Sequence, residues 1–147
     1  MSWEDAVEAN QKNPKKIMVD LYTDWCGWCK VMDKKTFSDP EIIKLINKDF
    51  YAVKFNAEQR ETVQYNGTSF EFVQAEGSRR GGVHMLAYSL TDGKMSYPTL
   101  VYLNEKMERI SISPGYKEVD QLKNELEFAS SEYYNKGSFD EFLKSKN

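Results

Sequence analysis

The chain has 147 residues with a net charge of −3, and 40% of its residues are hydrophobic. This size and composition fit one folded domain over residues 1–147, and they exclude a disordered chain. Acidic and basic residues are interleaved without a basic stripe, so we expect no nucleic-acid partner. No apolar run is long enough to cross a membrane, and the first seven residues lack the basic and apolar stretches of a signal peptide.

Hydrophobic periodicity in the first third of the chain predicts alternating helices and strands. In chain order, these are a helix over 3–12, a strand over 16–23, a helix over 26–37, a helix beginning at 38–41 and a strand over 50–56. Ser38 and Glu41 have the spacing of a capping box, which predicts that the helix beginning at 38–41 starts there. Ile42, Ile43 and Ile46 give that helix its apolar side. Strand, helix and strand together predict a βαβ unit.

Residues 57–96 are less regular and are predicted to form an insert before the next strand of the sheet. Alternating residues over 62–73 flank Asn66-Gly67, a two-residue turn signal that predicts a hairpin. A flexible loop is predicted over 77–82, and a short helix over 83–90.

The last third of the chain predicts two antiparallel strands, a long helix and a short terminal helix. The strands cover 99–103 and 109–113 and are separated by a turn. The apolar face of the long helix is made by Val119, Leu122, Leu126, Ala129 and Tyr133. Ser138 and Glu141 predict the start of an extra C-terminal helix over about 138–145. The complete order predicts an α/β fold, with a central mixed sheet flanked by helices on both faces.

Both cysteines of the chain lie in the run Trp25–Lys30, just after the strand predicted over 16–23. Their spacing places the first sulfur at the start of a helix, where free N–H groups and a partial positive charge stabilise a thiolate. A disulfide that closes so short a loop contributes only about 2 kcal/mol, which disfavours a structural role. The pattern therefore predicts a dithiol redox site, with Cys26 as the nucleophile and Cys29 as the resolving thiol.

Metal and haem binding are the alternative uses of such a cysteine pair. A zinc site needs about four ligands, and only His84 and carboxylates could complete one here. Haem attachment needs a histidine directly after the second cysteine, where this chain has Lys30. We therefore expect no metal, and no cofactor other than the redox-active Cys26–Cys29 disulfide. His84 is expected to be structural or solvent-exposed.

Asp20 interrupts the apolar strand six residues before Cys26. An unpaired carboxylate is costly to bury, so burial should raise the pKa of Asp20 and let it exchange protons near neutral pH. The functional interpretation is a proton acceptor for Cys29, and the alternative is an edge-facing or hydrogen-bonded carboxylate. Lys54 lies in the adjacent predicted strand and could pair with Asp20, the alternative being a solvated lysine.

These motifs together resemble the thioredoxin superfamily. The matching segments, in the order of the family, are Val19-Asp20, Trp25–Lys30, Val53–Asn56, Pro98–Leu100 and Gly115. The runs 20–26 and 36–40 also look like the C-terminal thioredoxin-like domain of the bacterial membrane thiol:disulfide interchange reductase, and like small secreted thioredoxin-like proteins. The resemblance implies the thioredoxin fold and a protein-disulfide reductase. It also implies a location in the bacterial periplasm or cell envelope, if a signal peptide has been removed, with the cytoplasm as the alternative.

The resemblance further implies which residues meet the substrate. In the family, a cis-proline loop faces the dithiol and binds substrate, and this role falls on Tyr97 and Pro98. Trp25, Gly27 and Trp28 surround the cysteines, and we expect one tryptophan to be an apolar docking platform, with core packing as the alternative. The implied partners are disulfide-containing proteins and an upstream dithiol electron donor. The protein is expected to be a monomer.

Two departures from the family pattern bear on function. Trp28 stands where thioredoxin has proline, and residues between the cysteines tune the reduction potential, so the direction of electron flow is open. A disulfide oxidase or isomerase, or a non-catalytic binding module, are therefore alternatives. The segment before Pro98 is longer than in a minimal thioredoxin. We expect its hairpin and loop, over 62–82, to shape one wall of the substrate groove.

Overall fold

The computed structural model describes residues 1–74 and 81–146. Its first part contains three helices and two strands. The first five elements are α1 (Trp3–Lys12), β1 (Lys16–Tyr22), α2 (Gly27–Lys35), α3 (Pro40–Asp49) and β2 (Phe50–Asn56). The insert holds β3 (Val63–Tyr65), β4 (Thr68–Phe70), β5 (Phe72–Gln74), β6 (Gly82–His84) and α4 (Met85–Leu90). The remaining elements are β7 (Thr99–Leu103), β8 (Arg109–Pro114), α5 (Val119–Ser130), a 3₁₀ turn (Tyr133–Asn135) and α6 (Phe139–Ser145).

Four strands form the central sheet, in the order β2-β1-β7-β8. β1 pairs in parallel with β2 and antiparallel with β7, and β7 pairs antiparallel with β8. Because β1 has a neighbour on each side and a covered surface above and below, its sequence is almost continuously apolar. The register sets Asp20 opposite Lys54 on one side and Leu100 on the other.

Two separate apolar clusters cover the two faces of this sheet. Alternate residues of β1 supply them, with Ile17, Val19 and Leu21 in the first cluster and Met18 in the second. The first cluster includes side chains of α1 and α4, and the second includes side chains of α2, α3 and α5. By the same alternation, Asp20 lies on the face covered by α2, α3 and α5. The predicted α/β fold, a mixed sheet between two layers of helices, is therefore confirmed.

The insert contains two hairpins, where the sequence predicted one. β3 and β4 pair antiparallel around Asn66 and Gly67, whose φ angles of 52° and 79° suit the expected turn. β5 pairs with β6 instead of extending the first hairpin. The helix predicted over 83–90 therefore begins only with α4, because strand pairing overrides the local helical pattern. The loop predicted over 77–82 lies largely outside the described residues, and Gly82 belongs to β6.

The start of α3 differs from the prediction in its capping residue. Asp39 is the N-cap, and its carboxylate accepts the backbone N–H groups of Glu41 at 2.9 Å and Ile42 at 3.3 Å. The hydroxyl of Ser38 instead donates to the carbonyl of Lys34 in α2. The predicted Ser38–Glu41 capping box is therefore wrong, because an aspartate one residue later reaches two free N–H groups.

Two apolar helix faces are narrower than predicted. In α3, Ile42 and Ile46 are buried whereas Ile43 is exposed, since the next residue along a helix is rotated away from the core. α5 ends before Tyr133, which belongs to the following 3₁₀ turn and packs its ring 5.2 Å from that of Phe142 in α6. The terminal helix α6 begins at its expected cap.

Candidate active site

The two cysteines lie between β1 and α2 and form a disulfide, with their Cα atoms 5.3 Å apart. Cys26 is the N-cap of α2, and the backbone N–H of Cys29 donates to its sulfur at 3.1 Å. The N–H of Cys26 bonds to the carbonyl of Thr23 at 3.3 Å, which turns the chain from the strand into the helix. Each cysteine is only 4% exposed. The first sulfur therefore lies at the positive end of α2, where a thiolate formed on reduction is stabilised.

Asp20 is buried in the middle of the sheet, on the strand that leads to the disulfide. Its carboxylate lies 3.8 Å from the ammonium group of Lys54, which projects from the neighbouring strand β2. Burial raises the pKa of Asp20 from its ordinary 3.8 to about 6, against the opposing effect of the Lys54 charge. The structure thus brings together the two charged residues that the sequence singled out.

Asp33 is a third member of this charged group, and sequence reasoning missed it. It projects from α2 and forms an ion pair with Lys54, whose ammonium group also lies 4.7 Å from the centre of the Tyr22 ring. The negative charge of Asp33 adds to the raised pKa of Asp20. The available signal was its position one helical turn after Cys29, because residues i and i+4 share one face of a helix.

A cavity of about 290 Å³ lies beside this charged group. Asp20, Asp33 and Lys54 contribute its charged wall, and Met18 and Phe37 belong to its apolar wall. The volume is large enough for several water molecules. The carboxyl of Asp20 is therefore buried but borders a space large enough for water.

The predicted substrate loop lies next to the residue that precedes the first cysteine. The Tyr97–Pro98 peptide bond is cis, and the Pro98 carbonyl accepts the N–H of Gly115 at 2.8 Å. The ring of Tyr97 meets that of Trp25 edge to face, with centroids 5.8 Å apart. Burial, together with the charge of Glu58, raises the pKa of Tyr97 to about 12.

Both tryptophans of the motif are on the surface, so the alternative of core packing is wrong for each. Trp25 is 66% exposed and Trp28 is 61% exposed. The indole N–H of Trp25 donates to the carboxylate of Glu58 at 2.9 Å, and the ring of Trp28 lies 5.2 Å from that of Tyr116. No local pattern in the sequence pointed to Glu58 or Tyr116, since both are distant in the chain from the tryptophans they contact. Gly27 begins α2, and a Cβ there would meet nothing within 4 Å.

His84 is fully buried and has a structural role as the N-cap of α4. Its Nδ1 accepts the N–H of Leu86 at 3.2 Å, so Nε2 carries the proton and donates to the Glu61 carbonyl at 2.9 Å. Within residues 1–74 and 81–146, no three His, Cys, Asp or Glu side chains are grouped to hold a metal ion. In the same part of the chain, no helix is long and apolar enough to cross a membrane.

Sequence comparison assigns the family. The family model Thioredox_DsbH, described as a protein of unknown function, DUF255, matches residues 1–135. The chain belongs to this family. Spermatogenesis-associated protein 20 of Homo sapiens is 32% identical over 78 residues, which are 53% of this chain and 10% of that protein. The thiol:disulfide interchange protein DsbD of Pectobacterium atrosepticum is 50% identical over 38 residues, 26% of this chain and 7% of that protein. The chain thus matches at most about a tenth of the length of these two relatives.

Solved structures show which fold the chain shares. A thioredoxin-fold protein from Helicobacter pylori has a TM-score of 0.65 at 21% identity, over 91% of this chain and 80% of that one. A DsbH oxidoreductase has a TM-score of 0.60 at 16% identity, over 89% and 83%. The C-terminal domain of DsbD from Neisseria meningitidis, in its reduced form, has a TM-score of 0.54 at 16% identity, over 87% and 97%. These likenesses establish the thioredoxin fold of this DsbH-family chain and confirm the resemblance noted in its sequence.

Proposed function

We propose that the protein is a thiol–disulfide oxidoreductase that reduces protein disulfides through Cys26 and Cys29. The observation that carries this proposal is the position of the Cys26 sulfur, at the N-cap of α2 and within 3.1 Å of the Cys29 N–H. A redox-active pair needs one sulfur stabilised as a thiolate and a second within bonding reach, and the pair meets both requirements. The relatives named as a thiol:disulfide interchange protein and as an oxidoreductase support the same reaction class.

In the proposed reaction, the Cys26 thiolate attacks one sulfur of a substrate disulfide and expels the other as a thiolate. Cys29 then loses its proton and attacks the Cys26 sulfur, which releases the second substrate thiolate and forms the Cys26–Cys29 disulfide. Two electrons pass from the dithiol to the substrate. Asp20 is the proposed acceptor for the Cys29 proton, because its pKa of about 6 suits proton transfer near neutral pH. Lys54 is proposed to position the Asp20 carboxylate.

The proposed substrate surface surrounds the disulfide. It comprises the exposed rings of Trp25 and Trp28, the open backbone at Gly27, and the cis loop at Tyr97 and Pro98. Exposed aromatic rings beside a reactive group offer apolar area for docking at little cost in conformational entropy.

Two serine variants test the reaction in an insulin-reduction assay with dithiothreitol as the electron donor. Cys26→Ser should abolish turnover, because the attacking thiolate is lost. Cys29→Ser, reduced and then freed of dithiothreitol before insulin is added, should instead accumulate covalent complexes with substrate, visible on non-reducing gels, because the mixed disulfide cannot be resolved. Turnover retained in Cys26→Ser would contradict the proposal, whereas no turnover in the wild type would favour a binding module with an idle dithiol.

The direction of electron flow is tested by the reduction potential of the Cys26–Cys29 pair against glutathione. A value near the −270 mV typical of thioredoxin, within about 40 mV, is expected for a reductase. A value near the roughly −120 mV of a strong oxidant would reassign the protein as an oxidase, and Trp28 would then be the residue to exchange for proline.

We propose a location in the bacterial periplasm or cell envelope, if a signal peptide has been removed, with the cytoplasm as the alternative. We also propose a single domain over residues 1–147 that works as a monomer. Disulfide-containing proteins are the proposed substrates, and an upstream dithiol protein is the proposed electron donor. Fractionation of the native product between envelope and cytoplasm tests the location, and the elution volume in gel filtration tests the monomer.

A further inference from the structure

An apolar groove of about 420 Å³ runs between the insert and the loop before β7. Its apolar lining comprises Val73, Val83, Met85 and Tyr88 from the insert, and Met95 and Tyr97 from the loop. A groove of this size is within the range of pockets that hold small organic ligands, so it can hold one large side chain. We call it the insert groove.

The insert groove is continuous with the proposed substrate surface. Tyr97 lines the groove and also contacts the ring of Trp25, which precedes Cys26. Glu58 lines it too, and accepts the indole N–H of Trp25. A peptide that crosses Trp25 to reach the disulfide therefore passes the mouth of the groove.

The lining indicates the chemistry of the occupant. Val73 is 50% exposed and Tyr88 is 46% exposed, which leaves apolar surface open to a partner. Of the lining residues that the structure describes, only Glu58 is charged. An apolar side chain would therefore be favoured by burial, whereas an acidic one would be repelled by the Glu58 carboxylate.

We propose that the insert groove binds a large apolar side chain close in sequence to the cysteine that Cys26 attacks. This inference rests on the proposed function and adds a substrate class to it, namely disulfides whose cysteine is flanked by bulky apolar residues and not by acidic ones. The insert then determines substrate specificity. A thioredoxin fold without the insert would lack this groove.

Three peptide disulfides test this preference. Each is a homodimer of a short peptide, joined by a disulfide between the single cysteines of the two copies. The residues on either side of the cysteine are leucine in the first peptide, serine in the second and aspartate in the third. The reduced full-length protein attacks the disulfide, forms its own Cys26–Cys29 disulfide and releases two peptide thiols, which are counted after acid quenching. Rates are divided by those with free dithiothreitol, so that differences in the intrinsic reactivity of the peptides cancel.

The wild-type protein should reduce the leucine peptide about tenfold faster than the serine peptide, as expected when a hydrophobic pocket accepts an apolar side chain. Val73→Glu should reduce this ratio to about twofold or less, and the neutral Val73→Gln should give an intermediate ratio. Thr68→Glu is the matched control, since it adds the same charge at an exposed strand position of the insert that does not line the groove. Its ratio should equal that of the wild type.

Glu58→Gln tests the charge separately, because the amide still accepts the indole N–H of Trp25. It should raise the rate with the aspartate peptide, relative to serine, about threefold. Equal rates with the leucine and serine peptides in the wild type, or an unchanged preference in both Val73 variants, would overturn the groove proposal and leave the exchange reaction standing. If the protein reduced none of the peptides and did not reduce bis(2-hydroxyethyl) disulfide either, the proposed function would be overturned instead.

Discussion

The two faces of the central sheet differ in what they offer to the disulfide at its end. On the face covered by α2 and α3, a buried carboxylate, Asp20, shares the charge of Lys54 with Asp33 beside a cavity. On the opposite face, the insert and the loop around Tyr97 pack on the first apolar cluster and leave a groove open. One face holds a buried carboxylate beside two partly exposed charged side chains, and the other presents apolar surface.

This difference separates two tasks that a thiol-exchange protein must perform. Proton transfer requires a group whose pKa is adjusted by burial and by neighbouring charges, which only a covered face provides. Recognition requires accessible apolar area, which only an uncovered surface provides. Substitutions on the two faces should therefore change different measured quantities: pH dependence and stability on one, and substrate preference on the other.

The largest effect on the covered face is expected for Asp20→Asn. If Asp20 accepts the Cys29 proton, its loss should slow resolution of the mixed disulfide about 100-fold at pH 7, the lower end of the usual range for general acid–base catalysis. Rapid quenching after mixing the reduced protein with a peptide disulfide measures this step. Formation of the mixed disulfide in a Cys29→Ser background serves as the control, and an equal slowing of formation would contradict the assigned role.

The same substitution should stabilise the oxidised protein at alkaline pH. The folded-state pKa of about 6 exceeds the ordinary 3.8, so the contribution of Asp20 is most favourable below pH 3.8 and is lost as the pH rises through 6. The shift corresponds to roughly 3 kcal/mol, and Asp20→Asn should recover up to this amount at pH 8 and almost none at pH 3.5. Guanidinium unfolding across this range measures the difference. Asp24→Asn removes an exposed carboxylate two residues before Cys26 and serves as the control for the loss of a negative charge near the disulfide.

The sequence was sufficient for those parts of the molecule whose signals are local. The apolar run of β1, its interruption at Asp20, and the two cysteines at a helix start each follow from neighbouring residues. The Asn66-Gly67 turn is similarly local, because its positive φ angles favour these residue types.

The remaining features depend on contacts between distant segments. β5 and β6 pair across residues outside the described part of the chain, and no periodicity in either short strand distinguishes a hairpin from a helix start. Glu58 reaches Trp25 across 33 residues of sequence. Asp33 was overlooked for another reason. A charged residue on a helix is usually solvated, and its importance here comes from Lys54 on a different strand.

Substitutions of Asp33 and Lys54 should shift the pKa of Asp20 by a moderate amount and in opposite directions. Asp33→Asn removes a negative charge near Asp20 and frees Lys54 to pair with it, so the pKa of Asp20 should fall. Lys54→Met removes the opposing positive charge, so the pKa should rise. Rates of thiol–disulfide exchange at pH 7 should change by no more than about tenfold, since a shift of one pKa unit changes the ratio of protonated to ionised carboxyl tenfold.

Carbon NMR of the Asp20 carboxyl in the oxidised protein measures both shifts. The buried Tyr102 of β7 also lies near Asp20, and its pKa is raised by burial, by the neighbouring Glu125 and, to a smaller extent, by the Asp20 charge. Since Tyr102 is unchanged in both variants, it cannot produce opposite shifts. Shifts of the same sign in the two variants would contradict the arrangement in which Lys54 lies between two carboxylates.

The smallest effect is expected beside the insert groove, for Trp25→Phe. Phenylalanine keeps a ring edge to face with Tyr97 but cannot donate to Glu58, so the orientation of the docking ring is held less firmly. A hydrogen bond of this kind contributes about 1 kcal/mol, which predicts a threefold to fivefold rise in KM for a protein disulfide with kcat almost unchanged. The unfolding free energy should fall by no more than about 1 kcal/mol, because the side chain is on the surface. Glu58→Gln retains an acceptor for the indole and should keep the wild-type KM. If it raises KM as much as Trp25→Phe does, the negative charge of Glu58 and not the hydrogen bond governs docking, and the contrast between a charged covered face and an apolar open one would have to be redrawn.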